Sequence, residues 1–432
     1  MAKDLFDLDV TTDRADTLGA YNVFAADWIG YGPRVRSVFT AADADANCAL
    51  VNANAAAVHM ALEAAPSFKK ARGYLRRARK VAGAATPREQ AFVSAVADWW
   101  RGNAPGALKR LRGIVAEYPA DIVAAKWAQY LAFNMGDART MLDVAKAILP
   151  THAETAAAWS MLAFAHEQND AIGVAEEAAY RALELNPRDP WAQHAIAHVL
   201  ETRGQVDAGV QFLTKHAPGW SDRSIFVREH NYWHLMLFHL EREETQRALE
   251  IFDRHLWGEW REFAQEQIGA ISALWRLEMR GADVGRRWEP VVGKVIERWH
   301  EHILPFNDLH FVYALARGGR VREAHEFLAS MVRHGAQDVS GVWESVAIPC
   351  ATGLIAYACK RYGEAAEAIG PVLARLHLVG GSHAQRDVFV QTWIDANLRA
   401  GRHSAVAHVL DTRASARPRE ARHLMQLVAK AA

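Results

Sequence analysis

The chain has 432 residues, of which 51% are hydrophobic, so it can bury a large core. Lys and Arg together number 50 and so do Asp and Glu, which leaves a formal net charge of zero. Without a net positive field the chain has no long-range attraction for a polyanion, and we expect no nucleic-acid partner. The three cysteines match neither a zinc motif nor a disulfide framework, which is typical of a reducing, cytoplasmic location.

Membrane and export signals are not expected. No stretch reaches the roughly 20 apolar residues that a membrane-spanning helix needs. The acidic start of the chain, MAKDLFD, lacks the apolar segment of a signal peptide.

Tryptophans recur every 32 residues, at Trp127, Trp159 and Trp191. Each opens a similar Ala-rich segment that ends in a turn and is followed by a second helical segment. Alternating β-branched runs are nearly absent, so the period indicates an all-α chain of helical hairpins.

Residues 156–189 fit the 34-residue pattern of a tetratricopeptide repeat. Small residues let its two helices approach closely, and Pro187 stops the second helix. The pattern predicts a right-handed tetratricopeptide-repeat-like solenoid of about nine to eleven helical hairpins. The positions that carry it are Trp159, Leu162, Ala163, Ala175 and Ala182.

No change of composition marks a domain boundary. We therefore expect one continuous domain over residues 1–432. A short N-terminal helical segment is expected over about 1–33, and a C-terminal capping helix over about 415–432, after a linker.

The first helix of each such hairpin lines the concave face. In the hairpin that starts at Pro190, this places Trp191, His194, His198 and Glu201 on one helical stripe. The following hairpin carries a second histidine pair with the same spacing of four. Two such pairs in successive hairpins indicate a catalytic or ligand-binding surface more strongly than isolated histidines would.

Further polar residues gather where later helices begin, in HILPFNDLHF and VGGSHAQRDVF. We predict that His198 or His234 acts as the acid or base, that Asp308 orients an imidazole, and that Arg386 binds an anionic group. The candidate catalytic residues are His194, His198, His230, His234 and Asp308. The candidate ligand-binding residues are Trp191, Glu201, Asn231, His310, Gln385, Arg386 and Asp387.

Two H-x-x-x-H pairs also suit a metal ion, because both imidazoles of a pair point the same way. The chain has no H-E-x-x-H motif, and we expect no cofactor and no stoichiometric zinc. Whether a metal binds the histidine pairs stays open at this point. A third interpretation is that the imidazoles only hydrogen-bond between repeats.

Six segments resemble the tetratricopeptide repeat protein 38 family, in the same order over most of the chain: TPREQAFVSAV, WAQHAIAHVLE, HNYWH, VGRRW, FNDLHF and GGSHAQRDVF. The resemblance implies the repeat fold and names no reaction. The animal protein has Asn where this chain has His383, which argues against a catalytic role for His383. The residues that the resemblance carries over are His194, His198, Glu201, His230, Asn231, Trp233, His234, Asn307, Asp308, His310, Ser382, Gln385, Arg386 and Asp387.

Two functions remain in competition. One is a pocket that binds a small anionic ligand, with histidine acid/base chemistry as its catalytic form. The other is a scaffold that binds a peptide or protein partner and catalyses nothing. The sequence leaves open whether the protein is an enzyme, what its ligand is, and its oligomeric state.

Overall fold

The computed structural model describes residues 2–416. Within this range the chain is helical apart from a short antiparallel ladder between β1 (Ala2–Lys3) and β2 (Asp9–Val10). The predicted capping helix at about 415–432 lies, beyond Ala416, outside the described residues.

Twenty-two α-helices follow one another over this part of the chain. The first eleven are α1 Ala15–Gly30, α2 Ser37–Ala44, α3 Ala49–Met60, α4 Ala65–Val81, α5 Pro87–Trp100, α6 Ala104–Glu117, α7 Ile122–Asn134, α8 Ala138–Ile148, α9 Ala156–Glu167, α10 Ile172–Leu185 and α11 Pro190–Thr202. The others are α12 Val206–His216, α13 Ile225–Glu241, α14 Thr245–Ile251, α15 Ala264–Met279, α16 Trp288–Val295, α17 Pro305–Arg317, α18 Val321–Gly335, α19 Ile348–Ala358, α20 Tyr362–Ile369, α21 His383–Arg399 and α22 His403–Ala416.

Tighter and wider helical segments extend several of these helices. A π-helical segment, Phe252–Leu256, continues α14, and another, Trp343–Ala347, leads into α19. The 3₁₀ segments are Ala82–Ala84, Ala217–Trp220, Ile296–Arg298 and Gly370–Val379.

Consecutive helices pack in pairs, as α3 does with α4, α9 with α10, and α19 with α20. Short connections force this pairing, and several contain a residue with left-handed backbone, such as Gly136 (φ 69°), Asp170 (φ 58°) and Gly204 (φ 66°). Taken in order, the helices form a helical-hairpin repeat, which confirms the predicted fold class.

The residues of the predicted repeat frame occupy the expected places. Ala163 on α9, with Ala175 and Ala182 on α10, is completely buried. A larger side chain at these positions would push the two helices apart, because helix interfaces are packed without spare volume.

The contacts divide the chain into two compact units. Unit 1 comprises the chain up to Phe133, then Asp137–Ile196 and His216–Arg228. Unit 2 comprises Asn134–Gly136, Ala197–Lys215 and the chain from Glu229 onward. The sequence shows no composition change at these boundaries, and the single continuous domain stays a prediction.

Each unit has a core built on large aromatic side chains. In unit 1 the ring of Trp127 stacks on Trp28 at 4.0 Å between centroids. In unit 2 the ring of Trp275 stacks on Tyr313 at 3.6 Å, and Phe327 and Phe389 are completely buried. No helix among residues 2–416 combines the length and the apolar character needed to cross a bilayer.

Candidate functional site

Helix α11 starts at a buried aspartate cap. The Oδ1 atom of Asp189 accepts hydrogen bonds from the backbone N–H groups of Trp191 and Ala192, both at 2.9 Å. This satisfies two N–H groups that the first helical turn leaves without an intrahelical partner. The cap fixes where the helix begins, and with it the face on which His194 and His198 lie.

Three histidines of unit 2 lie together: His198 on α11, with His230 and His234 on α13. The ring centroids of His198 and His234 are 4.5 Å apart, and those of His230 and His234 are 4.9 Å apart. One nitrogen of each ring lies within 4.8 Å of the others. We call these three residues the imidazole cluster.

His194 lies one turn before His198 on α11. Its completely buried ring stacks on Trp191 at 4.2 Å between centroids and also contacts Phe164. Stacking between two rings on the same helix limits the rotation of the imidazole.

Burial and neighbouring charge both oppose protonation of His230. The pKa of His230 is held well below its usual range, first by burial and then by the positive charge that His234 and His198 carry when protonated. Glu201 acts in the opposite direction on His230. His230 is therefore suited to be a neutral nitrogen ligand or base at neutral pH.

Glu201 connects the imidazole cluster to a small cavity in unit 2. Its Oε2 atom lies 3.5 Å from Nδ1 of His234, and its side chain is 13% exposed. The cavity has a volume of about 40 Å³, room for about three water molecules. Its lining residues are Glu201, Gly204, Val206, Leu237, Phe238, Leu240, Glu241, Arg276, Arg280 and Gln391.

Two arginines of α15 and its C-terminal end line this cavity. Arg280 donates to Oε2 of Glu241 at 2.9 Å. Arg276 is almost completely buried, donates to the carbonyl of Ala384 at 2.7 Å, and lies over the ring of Trp233 at 5.2 Å. Sequence reasoning missed both arginines, because nothing local to the segment LWRLEMR shows that these two side chains reach a cavity wall.

Asp308 contacts an imidazole that sequence reasoning did not single out. Its Oδ2 atom lies 2.5 Å from Nδ1 of His302, whose Nε2 lies 2.8 Å from the hydroxyl of Ser330. Burial raises the pKa of Asp308 to about 6, against the lowering effect of His302. We call this group the Asp–His–Ser chain. The predicted catalytic role of Asp308, to orient an imidazole, stays a prediction.

Other candidates have local partners. His310 is completely buried, and its Nδ1 lies 2.9 Å from the carbonyl of Phe306, to which it must donate. Burial lowers the pKa of His310 to about 3. Asn231 is completely buried on α13, and Asn307 is nearly so on α17.

The predicted residues around residue 385 organise the start of α21. The hydroxyl of Ser382 accepts from the backbone N–H of Gln385, and the side chain of Gln385 accepts from the backbone N–H of Ser382. Arg386 donates to the carbonyl of Gly381, and Asp387 accepts from Gln391 at 2.7 Å. The S-x-x-Q spacing is the known signature of this reciprocal cap, and it could have been recognised in the sequence.

Unit 1 contains a buried lysine that sequence reasoning also missed. Nζ of Lys126 donates to the carbonyl of Ile29 at 3.1 Å and lies 3.5 Å from the centroid of the Tyr31 ring. The Tyr31 ring in turn stacks on Trp191 at 4.8 Å. Burial lowers the pKa of Lys126 to about 7, with Asp189 opposing the change. Trp191, which was predicted to bind a ligand, thus stacks on Tyr31, and the Tyr31 ring contacts the buried ammonium group of Lys126.

No family model matches the sequence. Among solved structures, the human IFIT1 dimer with m7Gppp-AAAA is 14% identical, with 99% of this chain and 97% of that chain covered and a TM-score of 0.44. MamA is 18% identical over 38% of this chain and 92% of its own, with a TM-score of 0.30. The TPR domain of P58(IPK) is 10% identical over 73% of this chain and 99% of its own, with a TM-score of 0.23. None of these likenesses bears on what this chain binds.

Proposed function

We propose that the protein binds a small anionic molecule in unit 2, next to the imidazole cluster, and that the cluster supplies acid/base chemistry to it. One observation carries this proposal. Glu201 lies 3.5 Å from His234 and also lines a cavity to which Arg276 and Arg280 contribute. Two guanidinium groups and two carboxylates, one of them next to His234, therefore line one small space.

The size of the cavity limits the ligand. A volume of about 40 Å³ holds about three water molecules. This matches the charged end of a small molecule, such as a carboxylate or a phosphate group, better than a whole metabolite. Guanidinium groups bind both of these anions with two parallel hydrogen bonds.

The chemistry assigned to the cluster follows from an imidazole that faces a carboxylate. A neutral imidazole next to a carboxylate can accept a proton and be stabilised by the negative charge, which is what a general base needs. We assign this role to His234, whose Nδ1 faces Glu201. Membership of the tetratricopeptide repeat protein 38 family, cytoplasmic location and the role of Arg386 in anion binding are part of the same proposal.

A thermal-shift screen tests the proposal, with inorganic phosphate, phosphate monoesters and mono- and dicarboxylates as probes. A ligand that binds only the folded state raises its stability. We expect Arg280→Ala to remove about 1.5–3 kcal/mol of ligand-induced stabilisation, the contribution of a charge-assisted hydrogen bond. Arg386→Ala tests the sequence-based assignment of Arg386 separately, since that side chain is not among the residues that line the cavity. The matched control is Arg286→Ala, since Arg286 is 87% exposed and pairs only locally with Glu289.

The screen also distinguishes the anion-binding function from the rival scaffold function. Stabilisation that survives undiminished in Arg280→Ala would overturn the anion site. A screen in which no probe stabilises the protein, together with one peptide partner recovered reproducibly, would favour the scaffold.

A further inference from the structure

The imidazole cluster brings together nitrogen atoms from residues distant in the sequence. His198 lies on α11, and His230 and His234 lie one turn apart on α13. All three are held by packed helices, and one nitrogen of each lies within 4.8 Å of the others. Preorganised nitrogen donors of this kind are the usual framework of a metal site.

We propose that His198, His230 and His234 bind a divalent transition-metal ion, and that zinc is the ion best suited to the site. This inference departs from the sequence-based expectation of a protein without a cofactor. It shares the imidazole cluster with the small-molecule proposal: a metal ion on His234 would replace the proton-accepting role assigned to that ring, whereas anion binding at Arg276 and Arg280 needs no metal.

The donor set selects the class of metal. Imidazole nitrogens suit Zn²⁺, Co²⁺, Ni²⁺ and Cu²⁺, whereas Mg²⁺ and Ca²⁺ require several oxygen ligands. The group contains no thiolate, which would have favoured Cu(I) or an iron–sulfur cluster.

The distances permit one ion to be shared. Zinc binds imidazole nitrogen at about 2.0–2.1 Å in tetrahedral geometry, so two nitrogens on one ion lie about 3.3–3.4 Å apart. A separation of 4.8 Å must therefore shorten by about 1.5 Å. Small rotations about the side-chain bonds supply such a change without moving either helix.

Glu201 provides the outer partner that metal-bound histidines usually have. Its Oε2 lies on the Nδ1 side of His234, at 3.5 Å. A carboxylate that accepts from Nδ1 fixes the tautomer in which Nε2 is the metal ligand, and it makes the ring more basic. Glu201 is therefore a positioning residue for His234 in this site.

The histidine His239 offers a matched control. It lies on α13 with His230 and His234, but its Nδ1 pairs with Glu244 at 2.6 Å and it is not part of the group. His239→Ala removes an imidazole from the same helix without touching the imidazole cluster.

The experiment uses tag-free protein treated with a chelator and dialysed, then titrated with Zn²⁺ or Co²⁺. We expect one ion bound per chain and visible Co²⁺ bands of the intensity given by four or five ligands. His230→Ala and His234→Gln should each weaken Zn²⁺ binding at least 100-fold, and His239→Ala should leave it unchanged. Glu201→Gln should weaken it about 10-fold, as outer partners of metal-bound histidines do.

Either of two results would overturn the proposal: no stoichiometric binding by the folded wild-type protein, or equal binding by wild type and both histidine variants. If a variant fails to fold, X-ray absorption of the wild-type zinc protein decides instead. Scattering from at least three imidazoles is the expected result, and a shell of oxygens alone would contradict the site. Since no anionic probe is present, failure here leaves the thermal-shift result unaffected.

Discussion

Two histidine-containing groups of unit 2 use the imidazole ring in opposite ways. In the Asp–His–Ser chain, both ring nitrogens of His302 lie within 2.8 Å of an oxygen, one from Asp308 and one from Ser330. In the imidazole cluster, by contrast, the described neighbours of each ring include other imidazoles, at 4.5 and 4.9 Å between centroids.

The difference predicts different roles for the histidines of the two groups. A ring whose two nitrogens already meet oxygen partners has nothing left to offer a ligand, and its hydrogen bonds hold the segment before α17 against α18. Imidazoles placed side by side bring several nitrogens within 4.8 Å of one another, the arrangement that a metal ion uses. We therefore expect the Asp–His–Ser chain to govern stability and the imidazole cluster to govern binding.

The largest effect is expected for His302→Asn. Asparagine tolerates the left-handed backbone at this position (φ 44°), so the substitution tests the side-chain contacts and not the backbone. Removing the imidazole leaves the buried carboxyl group of Asp308 without its hydrogen-bond partner, and we expect the free energy of unfolding to fall by about 3 kcal/mol. Urea denaturation of the metal-free protein measures this change.

The matched comparison for that measurement is His230→Ala, for which about 1 kcal/mol is expected, since this ring is only partly buried. An equal loss in the two variants would remove the distinction between the groups.

A smaller effect is expected in the pH dependence of stability. Burial raises the pKa of Asp308 to about 6 from an ordinary value of 3.8, so the folded state holds this proton more tightly than the unfolded state. The resulting stabilisation is complete below about pH 4 and is lost as the pH rises through about 6, by about 2–3 kcal/mol. Asparagine at position 308 cannot titrate. The free energy of unfolding of wild type minus that of Asp308→Asn should therefore decline as the pH rises from about 4 through about 6. A difference that stays constant from pH 4 to 7.5 would contradict this assignment.

The smallest effect is expected for Ser330→Ala. The hydroxyl of Ser330 lies 2.8 Å from Nε2 of His302 and 3.1 Å from Nδ1 of His300. Losing one neutral hydrogen bond costs about 1 kcal/mol. Isothermal titration with Zn²⁺ should give the wild-type affinity for this variant; a weakened affinity would show that the two groups are not separate in function.

The sequence was sufficient for features that depend on local spacing. The 32-residue period and the small residues at 163, 175 and 182 predicted the helical hairpins, which the structure confirms. Histidines four apart were expected to share a helical face, because four residues complete about one turn.

Other features depend on contacts that no local pattern records. His302 lies in the irregular segment before α17, where there is no period from which to infer its position next to Ser330, 28 residues later. The burial of Lys126 and Arg276 likewise results from residues far away along the chain: Ile29 is 97 residues from Lys126, and Ala384 is 108 from Arg276. Long-range packing decides these environments, and the charge of the side chain alone predicts the opposite, an exposed position.

The glycine in the turn after α7 bears on the order in which the chain can fold. A Cβ atom at Gly136 would lie 1.9 Å from the carbonyl oxygen of His377, and one at Gly380 would lie 2.7 Å from that of Asn134. In most helical repeats each hairpin contacts only its neighbours, so folding can follow synthesis from one end. Here two backbone segments more than two hundred residues apart meet without room for a side chain. A ribosome must therefore deliver the chain to about residue 380 before this contact can form, and closing so long a loop adds an entropic cost late in folding.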